Sequence, residues 1–332
     1  MHLPDLHYAC VHCGYSCQDL EVEISDVEFA RVARLAGPAS VEKKNERLWL
    51  NKGCQGCTLL SEDGEGRCTL HREHGMQAKP RACREFPFRA IETPSGPFVG
   101  ASFACRAIAT RQGPKLSNDS FETRSLQLPP TPLAEGTPFD WERYLRWESR
   151  VGELLATKGE IGLWTAALEL GCEIQGRPMG PPSAVIEDGL WLLFRGLLAL
   201  AEGAMDEPTL MAFLQAHQNR GTYHSRLTDS QVNVASVLSR WEEPWSLWSR
   251  ALPFFEHLLF RKYLLEGPDV YSRICSLPVL AQLLQFLALS RTDSKPGEEE
   301  FLWALRILEE RLTFHSRGLE RYLGKFGALF LS

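Results

Sequence analysis

Tyr8-Ala9-Cys10-Val11-His12-Cys13-Gly14-Tyr15-Ser16-Cys17 opens the part of the chain that decides its fold. Cys54, Cys57, Cys68, Cys83 and Cys105 follow, so eight of ten cysteines fall in the first 105 of 332 residues. A packed core has no need of such crowding. Two C-x-x-C pairs in one short module point instead to thiolates gathered around a metal ion or cluster. A disulfide framework, the competing reading, belongs to an oxidising compartment and usually to a small secreted chain. Met1-His2-Leu3-Pro4-Asp5 shows neither the basic nor the apolar region of a signal peptide, and no uninterrupted apolar stretch has the length of a membrane span. The expectation is a soluble, cytoplasmic protein with reduced cysteines.

Composition marks an ordinary globular chain, 44% hydrophobic and 23% charged, long enough for two domains. Basic and acidic side chains balance across residues 1 to 125, so the net charge of -6 arises beyond them. Neither part carries the basic surplus of a nucleic-acid binder. From Gly113-Pro114 to Pro138 the prolines at 129, 130, 132 and 138 favour extended or turning backbone. The expected organisation is a Cys-rich module over 1–112, a linker over 113–139 and a helical domain over 140–332. The fold class is mainly α, a small irregular Cys-rich metal-binding α+β module followed by helices.

Within the module, Ser25 with Glu28 three residues on forms a capping box for a helix over 26–35, and Leu48-Trp49-Leu50 and Phe98-Val99-Gly100-Ala101 read as strands. Apolar residues at helical spacing predict helices over 141–157, 160–172, 185–203, 207–217, 228–240, 245–266, 278–290, 297–313 and 317–330. The apolar run Leu190–Leu200, interrupted by Arg195, reads as the central core helix.

The order of motifs says more than the count. After the first cysteines come Leu20-Glu21-Val22-Glu23-Ile24-Ser25, then Cys57-Thr58-Leu59-Leu60, Arg67-Cys68-Thr69-Leu70-His71, Lys79-Pro80-Arg81-Ala82-Cys83-Arg84-Glu85-Phe86-Pro87-Phe88 and Ser102-Phe103-Ala104-Cys105. This series resembles the CxxCxxCC family of zinc- or iron-chelating domains, which includes the YkgJ-like proteins. The resemblance implies Cys10, Cys13, Cys17, Cys57, Cys68, Cys83 and Cys105 as metal ligands. Ser16 stands where the family has the first cysteine of a doublet, and Lys79 where an arginine is common. Cys54 is an additional thiol able to replace the missing one.

Thiolates suit zinc or an iron–sulfur cluster equally by spacing. His12 and His71 offer nitrogen ligands, against the plainer reading of surface histidines. Lys79, Arg81, Arg84, Arg89 and Arg106 would favour thiolates or hold an anionic group, or be a solvated basic loop. Phe86-Pro87-Phe88 reads as core packing. A thiolate–imidazole pair of Cys10 or Cys13 with His12 or His7 is a weaker, catalytic alternative.

Leu252–Leu264 and Phe314–Leu323 resemble the helical region of flagellin lysine-N-methylases of the FliB type. That likeness implies a [4Fe-4S] cluster, S-adenosylmethionine as methyl donor and flagellin as protein partner. It also draws attention to Glu256, His257 and His315. No glycine-rich dinucleotide turn and no C-x-x-x-C-x-x-C run is present to support such a cofactor site. The alternative from another class is a non-enzymatic zinc- or iron-binding protein with a helical interaction domain.

Overall fold

A computed structural model describes the chain except residues 19, 55, 62–65, 118–122, 124, 179–183, 205, 243–244, 315–330 and 332, and only the backbone over 184–190. The chain forms two compact units, Met1–Leu126 and Gln127–Ser332. The division falls inside the proline-rich stretch, and both of its ends are used. Ser125–Leu126 adds a strand to the first unit, while the Thr131 hydroxyl donates to the Leu265 carbonyl at 2.8 Å in the second.

In the first unit, α1 (Asp26–Ala36) begins as its capping box requires: Ser25 Oγ accepts from the Glu28 N–H, and Glu28 accepts from the Ser25 N–H at 3.0 Å. The hairpin of β1 (Val41–Lys44) and β2 (Arg47–Leu50) turns at Asn45-Glu46, both with positive φ. A shorter ladder joins β3 (Lys52–Gly53) to β4 (Gly56–Cys57). Two short helices follow, α2 (Thr69–His74) and α3 (Arg81–Glu85). Next, β5 (Phe88–Ile91) pairs antiparallel with β6 (Phe98–Ala101). After α4 (Arg106–Ala109), β7 (Ser125–Leu126) joins β5 in parallel. Ile24, Val32, Val41, Leu50, Leu59, Leu70 and Ala78 make a small core, with Cys57, Cys68 and Cys83 packed at its margin. The capping carboxylate of Glu28 also accepts from the Arg81 N–H at 2.7 Å, so α1 fixes the start of the helix that carries Cys83.

The second unit contains α5 (Trp141–Lys158), α6 (Glu160–Gln175), α7 (Ala184–Glu202), α8 (Glu207–Gln218), α9 (Val234–Ser239), α10 (Trp248–Phe260), α11 (Val270–Ser290) and α12 (Glu298–Leu308), which runs into a π-helical turn at Glu309–Thr313. Mainly helical architecture is what the periodicity predicted, with three differences. The expected helix over 228–240 is half strand: β8 (Thr222–Ser225) pairs with β9 (Ser230–Asn233), and only then does Asn233 cap α9. The segment 245–266 is shorter, with a separate 3₁₀ turn at Tyr263–Leu265 after Lys262 enters the left-handed region. The helix expected from Pro278 starts at Val270, because Asp269 caps it by accepting from the Ser272 N–H at 2.6 Å and the proline is tolerated within. The predicted helix over 317–330 lies outside the described residues.

The central element is α11 rather than α7. It packs against α6, α7, α9 and α12, and nearly every side chain is buried. It is the one described helix long and apolar enough to cross a membrane, with 94% of that window buried inside the unit. In contrast α7 buries one face, through Phe194, Leu197 and Leu198, while Leu192 is 57% exposed.

His217 of α8 sits in that core among Phe213, Tyr223 and Phe286, and neither ring nitrogen has a partner. Burial, with the charge of Arg195, pushes its pKa down from 6.5 to about 4. The unfolded chain therefore binds the proton first. Stability from this residue is complete above pH 6.5, is lost as pH falls towards about 4, and changes no further below that. Urea midpoints should fall across this interval, and His217→Phe should fall less steeply; equal slopes would remove the assignment.

Candidate metal centre

The first loop is clasped from two sides. The 3₁₀ turn Tyr15–Gln18 holds Cys17, whose N–H donates to the Gly14 carbonyl at 2.9 Å. Gly56 lies directly on this turn, where a Cβ would come 2.5 Å from Gln18 Cα and 2.8 Å from the Cys17 carbonyl oxygen. A Cβ on Gly66 would come 2.5 Å from the Cys13 carbonyl carbon. Both glycines have positive φ, so backbone conformation and space require the same residue. On the other side, Tyr8 N–H donates to the Pro114 carbonyl, and the Ser16 hydroxyl donates to the Ala104 carbonyl at 2.9 Å.

These contacts bring distant cysteines together. Cys57 ends β4, and its carbonyl accepts from the Leu60 N–H at 3.0 Å. Leu60 in turn bridges to Cys68, which stands at the N-terminus of α2. Cys83 is the third residue of α3. Burial pushes the Cys17 thiol up to about 12, with the negative charges of Cys57, Cys68 and Cys13 adding to it and Lys79 opposing. Cys83 is also pushed up to about 12, first by burial; Lys79 opposes, while Cys17, Cys57 and Cys68 raise it further. Cys57 is raised by burial and by Cys68, against a hydrogen bond from the Leu59 N–H. Cys17 is exposed as a residue, yet burial of its thiol dominates.

A second neighbourhood contains Cys10, Cys13 and Cys105. Burial pushes Cys105 up to about 12, opposed by hydrogen bonds from the Ile108 and Ala107 N–H groups and reinforced by Cys13 and Cys10. The Tyr8 hydroxyl, bonded to Cys10, is raised by burial and then by the same three thiols. Cys13 contributes to both neighbourhoods.

The arrangement suits a thiophilic cation. Several thiols that ionise in one partly dry space repel one another, and a bound cation removes that cost. All ten cysteines are free thiols. Backbone N–H groups already aim at Cys57 and Cys105, as expected for sulfur that carries negative charge. Among the described residues, no three His, Cys, Asp or Glu side chains close into a finished coordination shell.

Other candidates are placed less centrally. Cys54 is exposed in the β3–β4 turn and is not among the principal charges sensed by Cys17, Cys57 or Cys83. His12, with φ 52°, puts Nδ1 3.9 Å from Cys10 Sγ, and its ring lies 5.9 Å from that of His71. His71 is lowered by burial and by Lys79 and His12. His7 Nδ1 lies 3.0 Å from the Gly113 carbonyl oxygen, within hydrogen-bond reach of the backbone, rather than beside a thiol. Lys79 acts on Cys17, Cys57 and Cys83, and Lys52 also acts on Cys57; the Lys79 carbonyl accepts from Arg84 at 2.7 Å and Arg31 at 3.1 Å. Arg81 pairs with Glu85, and Arg106 lies over the Tyr15 ring at 5.7 Å.

In the helical unit Glu256 is exposed, whereas His257 is buried and stacked on Phe260. They face opposite environments and do not form one site. His315 lies outside the described residues.

Sequence reasoning treated Ser16 as a lost ligand and missed its clamp on Ala104. Ser16 is buried, so Ser16→Ala should leave a buried carbonyl unsatisfied and cost about 1–3 kcal/mol. A denaturant midpoint equal to that of the parent would show that the clamp contributes nothing.

Residues 9–106 match the model of the CxxCxxCC family, described as a putative zinc- or iron-chelating domain. All seven candidate cysteines lie within the match. Neither the curated proteins nor the solved structures yield a match to the chain. The first unit is thus similar to the CxxCxxCC zinc- or iron-chelating domain, and that similarity supports metal binding.

Proposed function

We propose that the first unit binds zinc or iron through cysteine thiolates, with Cys17, Cys57, Cys68 and Cys83 as one set and Cys10, Cys13 and Cys105 as its neighbour. The observation that carries this reading is that Cys57, Cys68 and Cys83, from three separate segments, lie at one core margin, with Cys17 from a fourth within range of their charge. Four thiolates and a divalent ion leave two negative charges, which the Lys79 ammonium partly offsets. The core is small, so ion binding would stabilise the unit as well as occupy it. An iron–sulfur cluster would supply electron transfer or Lewis acidity; zinc would supply a fixed tetrahedral junction.

Metal and acid-labile sulfide analysis of anaerobically purified protein tests this. Cys57→Ser and Cys83→Ser should lose most of the bound metal, whereas Cys54→Ser should keep it. A chelator should lower the unfolding temperature of the first unit. Parent protein free of both zinc and iron would end the proposal.

The S-adenosylmethionine-dependent methylation of flagellin lysines, with a [4Fe-4S] cluster, is supported by the FliB resemblance alone. Incubation of iron-loaded protein with labelled S-adenosylmethionine and flagellin should then transfer label to lysine; unlabelled flagellin would leave the non-enzymatic metal-binding reading.

A further inference from the structure

The second unit holds a buried positive charge, that of Arg273, with no salt-bridge partner among the described residues. Arg273, four residues after the Asp269 cap of α11, is 4% exposed. Its Nη2 donates to the Glu266 carbonyl, while Nε and Nη1 have no partner. Among the described residues it forms no ion pair. Three carboxylates of the unit bond other groups: Glu309 with Arg261 at 3.1 Å, Glu148 with Lys262 at 2.5 Å, and Asp269 with the Ser272 N–H and hydroxyl; Glu310 is a further buried carboxylate.

The aromatic ring of Tyr263 collects this charge. The Arg273 guanidinium carbon lies 4.5 Å from its centroid and that of Arg261 lies 5.6 Å away. Tyr263 is fully buried, and its hydroxyl has no partner either; neither does Arg261 Nε. Donors without acceptors therefore accumulate around one ring. A buried unpaired guanidinium is costly, and a buried orphan donor in a native fold calls for an ion or water. Water would satisfy donors without cancelling the charge. An oxyanion does both, because the guanidinium edge presents parallel N–H groups to two oxygens. Gly267 packs on the Arg273 stem, where a Cβ would come 2.8 Å from Cγ and Nε, so the glycine is what lets the guanidinium lie there with Nε and Nη1 both buried and unpartnered.

We propose that the second unit binds a small oxyanion, a carboxylate or phosphate group, at Arg273 Nη1 beside the hydroxyl of Tyr263. The site is independent of the cysteines and assigns the helical unit a ligand of its own.

Thermal unfolding and calorimetry of the full chain, with sodium phosphate, sulfate or acetate added against sodium chloride at constant ionic strength, test this. At least one oxyanion should raise the unfolding temperature saturably, and the most effective one separates phosphate-like from carboxylate ligands. Arg273→Met should abolish the effect. Tyr263→Phe, which removes only the hydroxyl, should raise the dissociation constant about tenfold. The proposal fails if all three salts act like chloride, or if Arg273→Met responds as the parent does. Should Arg273→Met not fold, unchanged affinity in Tyr263→Phe overturns it.

Discussion

Everything about the first unit follows from the cost of placing several ionisable sulfurs together out of water. Burial first, with the charge of neighbouring cysteines added, pushes Cys17, Cys83 and Cys105 up to about 12. Without a cation these thiols stay protonated and behave as small apolar groups at the edge of a small core. A bound cation would instead favour their ionised form. The same residues can therefore be core or ligand, and the choice belongs to the ion. This explains why the fold invests in backbone rather than side-chain contacts around them: glycine approaches at 56 and 66, N–H groups on sulfur, and the Ser16 clamp hold the loops wherever the thiol protons go.

Much of this was legible in the sequence because it is local. The capping box at Ser25 and Glu28, the strands at 47–50 and 98–101, and most helices beyond residue 140 are written in patterns a few residues long. The failures share a cause. The helix expected over 228–240 draws its apolar spacing from Val234, Val237 and Leu238; over the polar stretch before them Glu202 from another helix accepts from Tyr223, Ser225, Arg226 and Leu227 and stabilises a hairpin instead. A buried carboxylate with four donors outweighs a weak local preference. Likewise α7 looks more apolar than its neighbours, but centrality depends on which helix others surround, and that is set by packing across the whole unit.

The candidate site divides the same way. That cysteines gather was readable from their number and spacing; which gather with which was not, because the partition depends on loops folding back over tens of residues. Cys10 precedes Cys17 by only a few positions, yet its charge acts on Cys105, while Cys17 senses Cys57 and Cys68; Cys13 acts on both.

Ser16 sits in the turn that holds Cys17, and its chemistry shows why a cysteine position can be vacated without collapse of the module. A thiol there would be a poor donor to the Ala104 carbonyl, since sulfur hydrogen bonds are long and weak. A hydroxyl makes the bond at 2.9 Å and joins residues 88 apart in sequence, tying the segment before Cys17 to the segment before Cys105. One prospective ligand is exchanged for a strut between the two thiol neighbourhoods. A bond between a hydroxyl and a carbonyl does not depend on the charge of the thiols, so it restrains both segments in either protonation state of the cysteines.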